Sequence, residues 1–130
     1  MSSNLVRQFG GCAVAQPKRR AARVVVGGGA GFAARTTELF LARGVDVCTA
    51  LALDDLHALA AKKNPTAVVL PVEAAGESGF LTCAKLRVTR PKMRVVLVGE
   101  ATPTAERLAR FVGARFATEA TAADVVLKLI

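Results

Sequence analysis

The chain predicts an α/β domain in which a parallel sheet is covered by helices on both faces, a three-layer arrangement. Three observations carry that expectation. Five short apolar runs rich in β-branched residues, RVVV, VDVCTA, TAVVL, RVVLV and ARFAT, recur along the chain from Arg23 onward. Each is followed by a stretch whose apolar residues repeat at helical spacing, so that strand and helix alternate five times. Strands that are apolar throughout belong to sheets buried on both sides, which is the environment of parallel sheets. The bulk numbers agree: 130 residues, 52% hydrophobic, with a mean hydropathy of +0.39, suit one domain with one sizeable core.

Taken in order, residues 1–21 lack a period and end in Pro17-Lys18-Arg19-Arg20, so they are expected to be a mobile basic tail, docked in part through Leu5, Val6 and Phe9. The domain proper is then 22–130. RVVV is the first strand, and the helix over 32–43 sets Phe32, Thr36 and Leu39/Phe40 on one face until Gly44 stops it. VDVCTA is the second strand. The helix over 54–63 has acids at its start and lysines at its end, as the helix dipole favours, and Asn64-Pro65 ends it. TAVVL, a helix over 79–87, RVVLV, a helix over 103–112 with proline in its first turn, ARFAT and a last helix over 122–130 complete the set.

Composition excludes several classes. No apolar run approaches the roughly 18 residues of a membrane span, and the N-terminus has no apolar core of a secretory signal. Cys12, Cys48 and Cys83 are odd in number and widely spaced. Cys48 and Cys83 read as small reduced core residues, no spacing suggests a metal site, and the cytoplasm is the expected compartment. The formal charge of +8 favours acidic partners, whereas the lack of Trp and Tyr argues against stacking on single-stranded nucleic acid. His57, the one histidine, is expected as a packed, hydrogen-bonded side chain.

The stretch VVVGGGAGF, 24–32, raises the question of a dinucleotide cradle. Gly27 and Gly29 fit the first two positions of G-x-G-x-x-G, but the third is Phe32. The second strand is followed by Leu51 and Leu53 rather than by an acid for the ribose hydroxyls. A small nucleotide-binding domain using Gly27, Gly28, Gly29 and Gly31 is therefore the alternative reading, and Phe32 is expected in the core.

PTAVVLPVEAAGESGF and ARFVGARFAT resemble, in layout, the third strand with its loop and the approach to the fifth strand of the CheY-like response-regulator receivers. The resemblance covers 23–130. It implies a flavodoxin-like fold with the five-stranded parallel sheet in the order 2-1-3-4-5 and five helices. Receivers accept a phosphoryl group on an aspartate, using three carboxylates, Mg²⁺, a hydroxyl and a lysine. Mapped by position, the acid pair falls on Gly27 and Gly28, the phosphoacceptor on Pro71, the hydroxyl on Gly99 and the lysine on Glu119. Proline accepts no phosphate, glycine side chains ligate no metal, and a glutamate repels a phosphoryl oxygen.

The chain thus resembles a degenerate receiver, or pseudo-receiver, and LPVEAAGESGFLTCAKL is similar to FrzS-type domains of myxobacterial gliding motility. That resemblance implies a non-catalytic, phosphorylation-independent protein-interaction module of bacterial signalling, in cell polarity or motility, with no cofactor, metal or small-molecule substrate. Its partners would be proteins, acidic ones in view of the charge; a homodimer is compatible, and recruitment to a cell pole would follow from a polarity role. On this fold the cations gather at the strand-start end of the sheet and the acids, among them Asp124, at the strand-end rim. Arg87, Arg90, Lys92 and Arg94 form one cluster, and Arg107 and Arg110 with Phe116 belong to a second candidate interaction surface. A basic surface for nucleic acid or anionic membrane is the further alternative.

Overall fold

The computed structural model describes residues 12–13, 23–50, 53–73 and 77–129. Along them run β1 (Cys12–Ala13), β2 (Arg23–Gly27), α1 (Ala30–Ala42), β3 (Asp46–Ala50), α2 (Leu53–Lys63), β4 (Ala67–Pro71), α3 (Gly79–Thr89), β5 (Val95–Val98), α4 (Pro103–Phe111), β6 (Arg115–Ala117) and α5 (Ala122–Leu127). The strands form one sheet in the order β1-β3-β2-β4-β5-β6. Strands β2 to β6 are mutually parallel. Counted from β2 they stand in the expected order 2-1-3-4-5, with five helices.

β1 is an addition. It runs antiparallel to β3, with Cys12 opposite Cys48 and Ala13 opposite Val47. The sequence reading assigned no strand to residues 1–21, because two residues carry no period. Leu5, Val6 and Phe9 lie outside the described residues. Cys48 corrects a second expectation: it is disulfide-bonded, and Cys83 is the free, buried cysteine. Residues opposed across an antiparallel ladder have Cα atoms about 4.5–5.5 Å apart, within disulfide reach. The linear spacing of the cysteines concealed that juxtaposition.

Alternation along the strands builds two cores. Val24, Val26, Val47, Val69, Val96 and Val98 face α1 and α5, where they meet Phe32, Ala33, Phe40, Ala122, Ala123 and Val126. Val25, Cys48, Val68, Leu70, Val95 and Leu97 face α2, α3 and α4, where they meet Leu56, Ala60, Cys83, Leu86 and Ala109. Phe40 is wholly buried, a burial that stabilises by about 2–3 kcal/mol. Phe32 and Thr36 are buried as expected, whereas Leu39 is 44% exposed. Ala33, with Phe32, Thr36 and Phe40, takes the inner positions of α1 instead.

The helix ends follow local chemistry. Gly44 and Gly113 both adopt φ +79°, the left-handed conformation that terminates α1 and α4. Asn64 does the same at φ 49° after α2, and buried Pro65 follows it. Ser78 Oγ accepts from the Leu81 amide at 3.2 Å, and Thr102 Oγ1 from the Ala105 amide at 3.1 Å, capping α3 and α4. α1 begins at Ala30, two residues earlier than expected, because extended Gly29 serves as its cap. α5 is shorter than expected and ends at Leu127.

Candidate functional site

The carboxyl ends of β2, β4, β5 and β6 bring Gly27, Gly28, Pro71, Gly99 and Glu119 to one rim of the sheet, in neighbouring strands. This is where α/β sheets place their ligands. The two halves of that rim differ. On the β2/β4 side the space is filled. A Cβ on Gly27 would lie 2.8 Å from Leu70 Cδ2 and 3.4 Å from Leu56 Cδ1. A Cβ on Gly28 would lie 2.7 Å from Pro71 Cγ, and Gly28 has φ +110°, a conformation that side chains strain to adopt. A Cβ on Gly79 would overlap the Pro71 carbonyl oxygen, and one on Gly99 would overlap Val72 Cγ2. Pro71 and Val72 are therefore lodged among three glycines.

Backbone bonds lock this arrangement. The Val72 amide donates to Val98 O at 2.8 Å, the Gly79 amide to Val72 O at 3.0 Å, and the Gly99 amide to Ala117 O at 3.0 Å. No carboxylate fits at position 27 or 28 unless Leu70, Leu56 or Pro71 moves. The Gly27-to-Gly31 loop likewise fits poorly around a dinucleotide: the Phe32 ring is buried where the fingerprint calls for a small residue.

Over the ends of β4, β5 and β6 the rim opens into a depression of about 830 Å³, bounded by Phe32, Arg35, Pro71, Glu73, Glu100 and Glu119 among others. Glu119 accepts a forked pair of bonds from Arg35, at 3.0 and 3.3 Å. That partnership raises the Arg35 pKa further above its ordinary value. The charge around the depression is mainly negative, which disfavours a phosphoryl group. Just ahead of α3, Glu77 accepts from Lys85 Nζ at 2.7 Å and from Thr82 Oγ1 at 2.6 Å. The Lys85 bond first, and the Thr82 bond second, hold Glu77 below the usual carboxylate range. Among the described residues no group of three or more His, Cys, Asp and Glu side chains could hold a metal ion.

The basic cluster is divided by the fold. Arg87 donates to Met93 O at 2.8 Å, and Arg94 donates to Leu129 O. Arg90 is half-buried and Lys92 exposed. Arg110 and half-buried Phe116 line a second depression of about 550 Å³ between α4, β6 and α5, which Lys128 closes. Arg107 is exposed but does not line it. The sorting of charge by end fails at Asp124, which meets Arg43 at 2.6 Å. His57 is half-buried rather than packed inward; Leu56 and Ala60 hold the inner positions of α2. Among the described residues His57 forms no hydrogen bond, and it lies near Glu77. Leu51 lies outside the described residues.

Sequence reasoning missed the Arg35–Glu119 pair, whose members stand 84 residues apart with no local signal. It also missed the glycine packing around Pro71, although Gly28, Gly79 and Gly99 each follow or face a strand end.

No family model matches the chain, and no curated protein does. Solved structures do. The chemotaxis protein CheY4 of Vibrio cholerae is 16% identical with a TM-score of 0.73, over 85% of this chain and 100% of that one. The receiver domain of the Francisella response regulator 1452 is 16% identical at 0.72, over 83% and 95%. The signal receiver domain of the response regulator NarL from Mycobacterium tuberculosis is 21% identical at 0.65, over 85% and 96%. With the strand order and the five helices described above, these likenesses establish that the chain has the CheY-like receiver fold.

Proposed function

We propose that the chain is a receiver-like protein-interaction module of a bacterial signalling system that works without phosphorylation. One observation supports the reading: at the rim where the resemblance puts the phosphoacceptor and the acid pair stand Pro71, Gly27 and Gly28, and a side chain at either glycine would meet Leu70, Leu56 or the Pro71 ring. The surrounding positions agree, since Gly27, Gly28 and Gly99 supply no side-chain metal ligand and Glu119 supplies no phosphate-gripping cation. Such a module has no catalytic residues and needs no cofactor. Its FrzS-like stretch points to cell polarity or gliding motility, with a cytoplasmic protein partner and recruitment to a pole. The unpaired cations favour an acidic partner.

Beryllofluoride with Mg²⁺, a mimic of the phosphoryl group, tests this directly. Titrated into the 130-residue chain and followed by amide shifts, it is expected to leave the strand ends unchanged. A saturable shift centred on Val72 and Gly99, at the ends of β4 and β5, overturns the reading.

A further inference from the structure

The antiparallel strand at the edge of the sheet is held by a covalent bond. The chain has three cysteines. Cys48 is disulfide-bonded and Cys83 is free. Cys12 stands opposite Cys48 in the β1–β3 ladder, so the bond joins these two. It closes a ring of chain that contains β2, α1 and β3.

The two strands joined by the bond differ in how firmly they are otherwise held. β3 pairs along its whole length with β2, from Arg23 opposite Asp46 to Gly27 opposite Ala50. Cys48 itself is 3% exposed and belongs to the core with Val25, Leu56 and Ala60. β1 has only two residues, well short of the usual strand of about five to six. It stands at the end of the strand order, with β3 as its one neighbour. Gly10-Gly11 before it and Pro17 after it have low strand propensity. An element held by so few backbone bonds opens locally at small cost. The five parallel strands need nothing from β1 for their own pairing. Breaking the bond therefore frees β1 and leaves the rest of the sheet standing, with the Cys48 thiol as a small core side chain.

The third cysteine stays out of this chemistry. Cys83 donates to Val112 O at 3.8 Å, in the seam between α3 and the end of α4. Burial keeps its thiol protonated at neutral pH, whereas it is the thiolate that attacks a disulfide. The bonded pair is thus left to exchange with thiols from outside the chain.

We propose that Cys12 and Cys48 form a reversible redox site, a latch that a dithiol carrier protein opens, releasing β1 and baring the outer edge of β3. A carrier thiolate attacks one sulfur of the bond, giving a mixed disulfide and one protein thiolate, which takes up a proton. The second carrier thiol then attacks the mixed disulfide and displaces the other protein sulfur. Two protein thiols and one carrier disulfide result, so two electrons and two protons pass from carrier to chain. The site rests on the cytoplasmic placement proposed above, where thiol reductants meet the bond and disulfides serve sensing or catalysis rather than permanent stapling.

The test uses the 130-residue chain with thioredoxin, its reductase and NADPH as the reducing probe. Thiols are counted by maleimide mass tagging after unfolding, and opening is followed by amide hydrogen exchange. Tags are expected to rise from one to three under native conditions and to return to one on reoxidation. Amides of β3 are expected to exchange at least about tenfold faster after reduction, with those of β4 and β5 unchanged. Cys12→Ser is expected to show the fast β3 exchange with or without reductant, and Cys48→Ala to do the same. Four results overturn the proposal: a bond that thioredoxin reduces only in denaturant, β3 exchange that reduction leaves unaltered, β4 and β5 exchange that accelerates with β3, or a disulfide that links two chains on non-reducing electrophoresis. A beryllofluoride response with the latch working refutes phosphorylation independence alone. Silence toward beryllofluoride with a bond inert to thioredoxin refutes the latch alone. Cell fractionation that finds the protein outside the cytoplasm, its bond still reducible, refutes the placement alone.

Discussion

The two helical layers carry the same kinds of residues and use them in opposite ways. Over one face of the sheet, α1 and α5 are tied down at both heights: Arg35 to Glu119 and Arg43 to Asp124, with Phe40 wholly buried between. Over the other face, α3 and α4 leave Phe111 85% exposed and several arginines without a carboxylate. The difference teaches where binding free energy is still available. A layer that satisfies its own charges and apolar groups has little left to offer a partner, and a layer that does not can gain by being covered.

Two phenylalanines sharpen this most. Phe40→Ala is expected to cost about 3–5 kcal/mol, read by urea denaturation, since it empties a filled core position. A cost below about 1 kcal/mol would mean that the α1 layer is no better packed than the α3–α4 layer. The rim offers the next test. Gly28→Asp, which puts a receiver-like acid back, meets both a positive φ and the Pro71 ring. It is expected to destabilise by about 2–4 kcal/mol, and to restore no beryllofluoride response. A neutral outcome would show that Pro71 yields easily.

Burial pushes the Cys83 thiol up to about 11. In the native protein at pH 8 it is expected to react with Ellman's reagent at least about tenfold more slowly than after unfolding. Fast native reaction would mean that the α3–α4 seam opens. Glu77 provides a pH-dependent contrast. Its folded pKa is depressed by Lys85 and Thr82, so its contribution is present above the ordinary glutamate range and disappears as pH falls through the lowered value. The stability gap between wild type and Glu77→Gln should therefore close on acidification, as followed by thermal melts. Smallest of all, Phe111→Ser is expected to change stability by less than about 0.5 kcal/mol, the behaviour of a surface residue.

Much of this fold was legible in the sequence because its signals are local. Apolar runs such as AVVLP and VVLV, glycines that end helices, and a proline in the first turn of α4 are written in consecutive residues. The rim positions followed from strand ends. What stayed hidden depends on approach in three dimensions. Nothing near Gly79 announces that the Pro71 carbonyl rests against it, and nothing near Arg35 announces Glu119. Leu39 and His57 were placed inward by helical spacing alone, but one residue of rotation decides which side chain the sheet receives. Exposure of Val88 and Phe111 was likewise invisible, because an apolar residue in a helix reads as core until the layer it would fill is seen to be full.

The two residues of β1 carry a consequence for where this domain can be cut. A boundary drawn at residue 22 follows the receiver fold and discards the strand that lies along β3. The truncated protein would then present the outward amides and carbonyls of β3 as an open sheet edge, a template for strand exchange and aggregation. It would also leave Cys48 without the cysteine that stands across from it in the ladder. A protein made from residue 10 onward is expected to stay monodisperse in size-exclusion chromatography where one made from residue 22 self-associates, so β1 acts as the selvedge of the sheet.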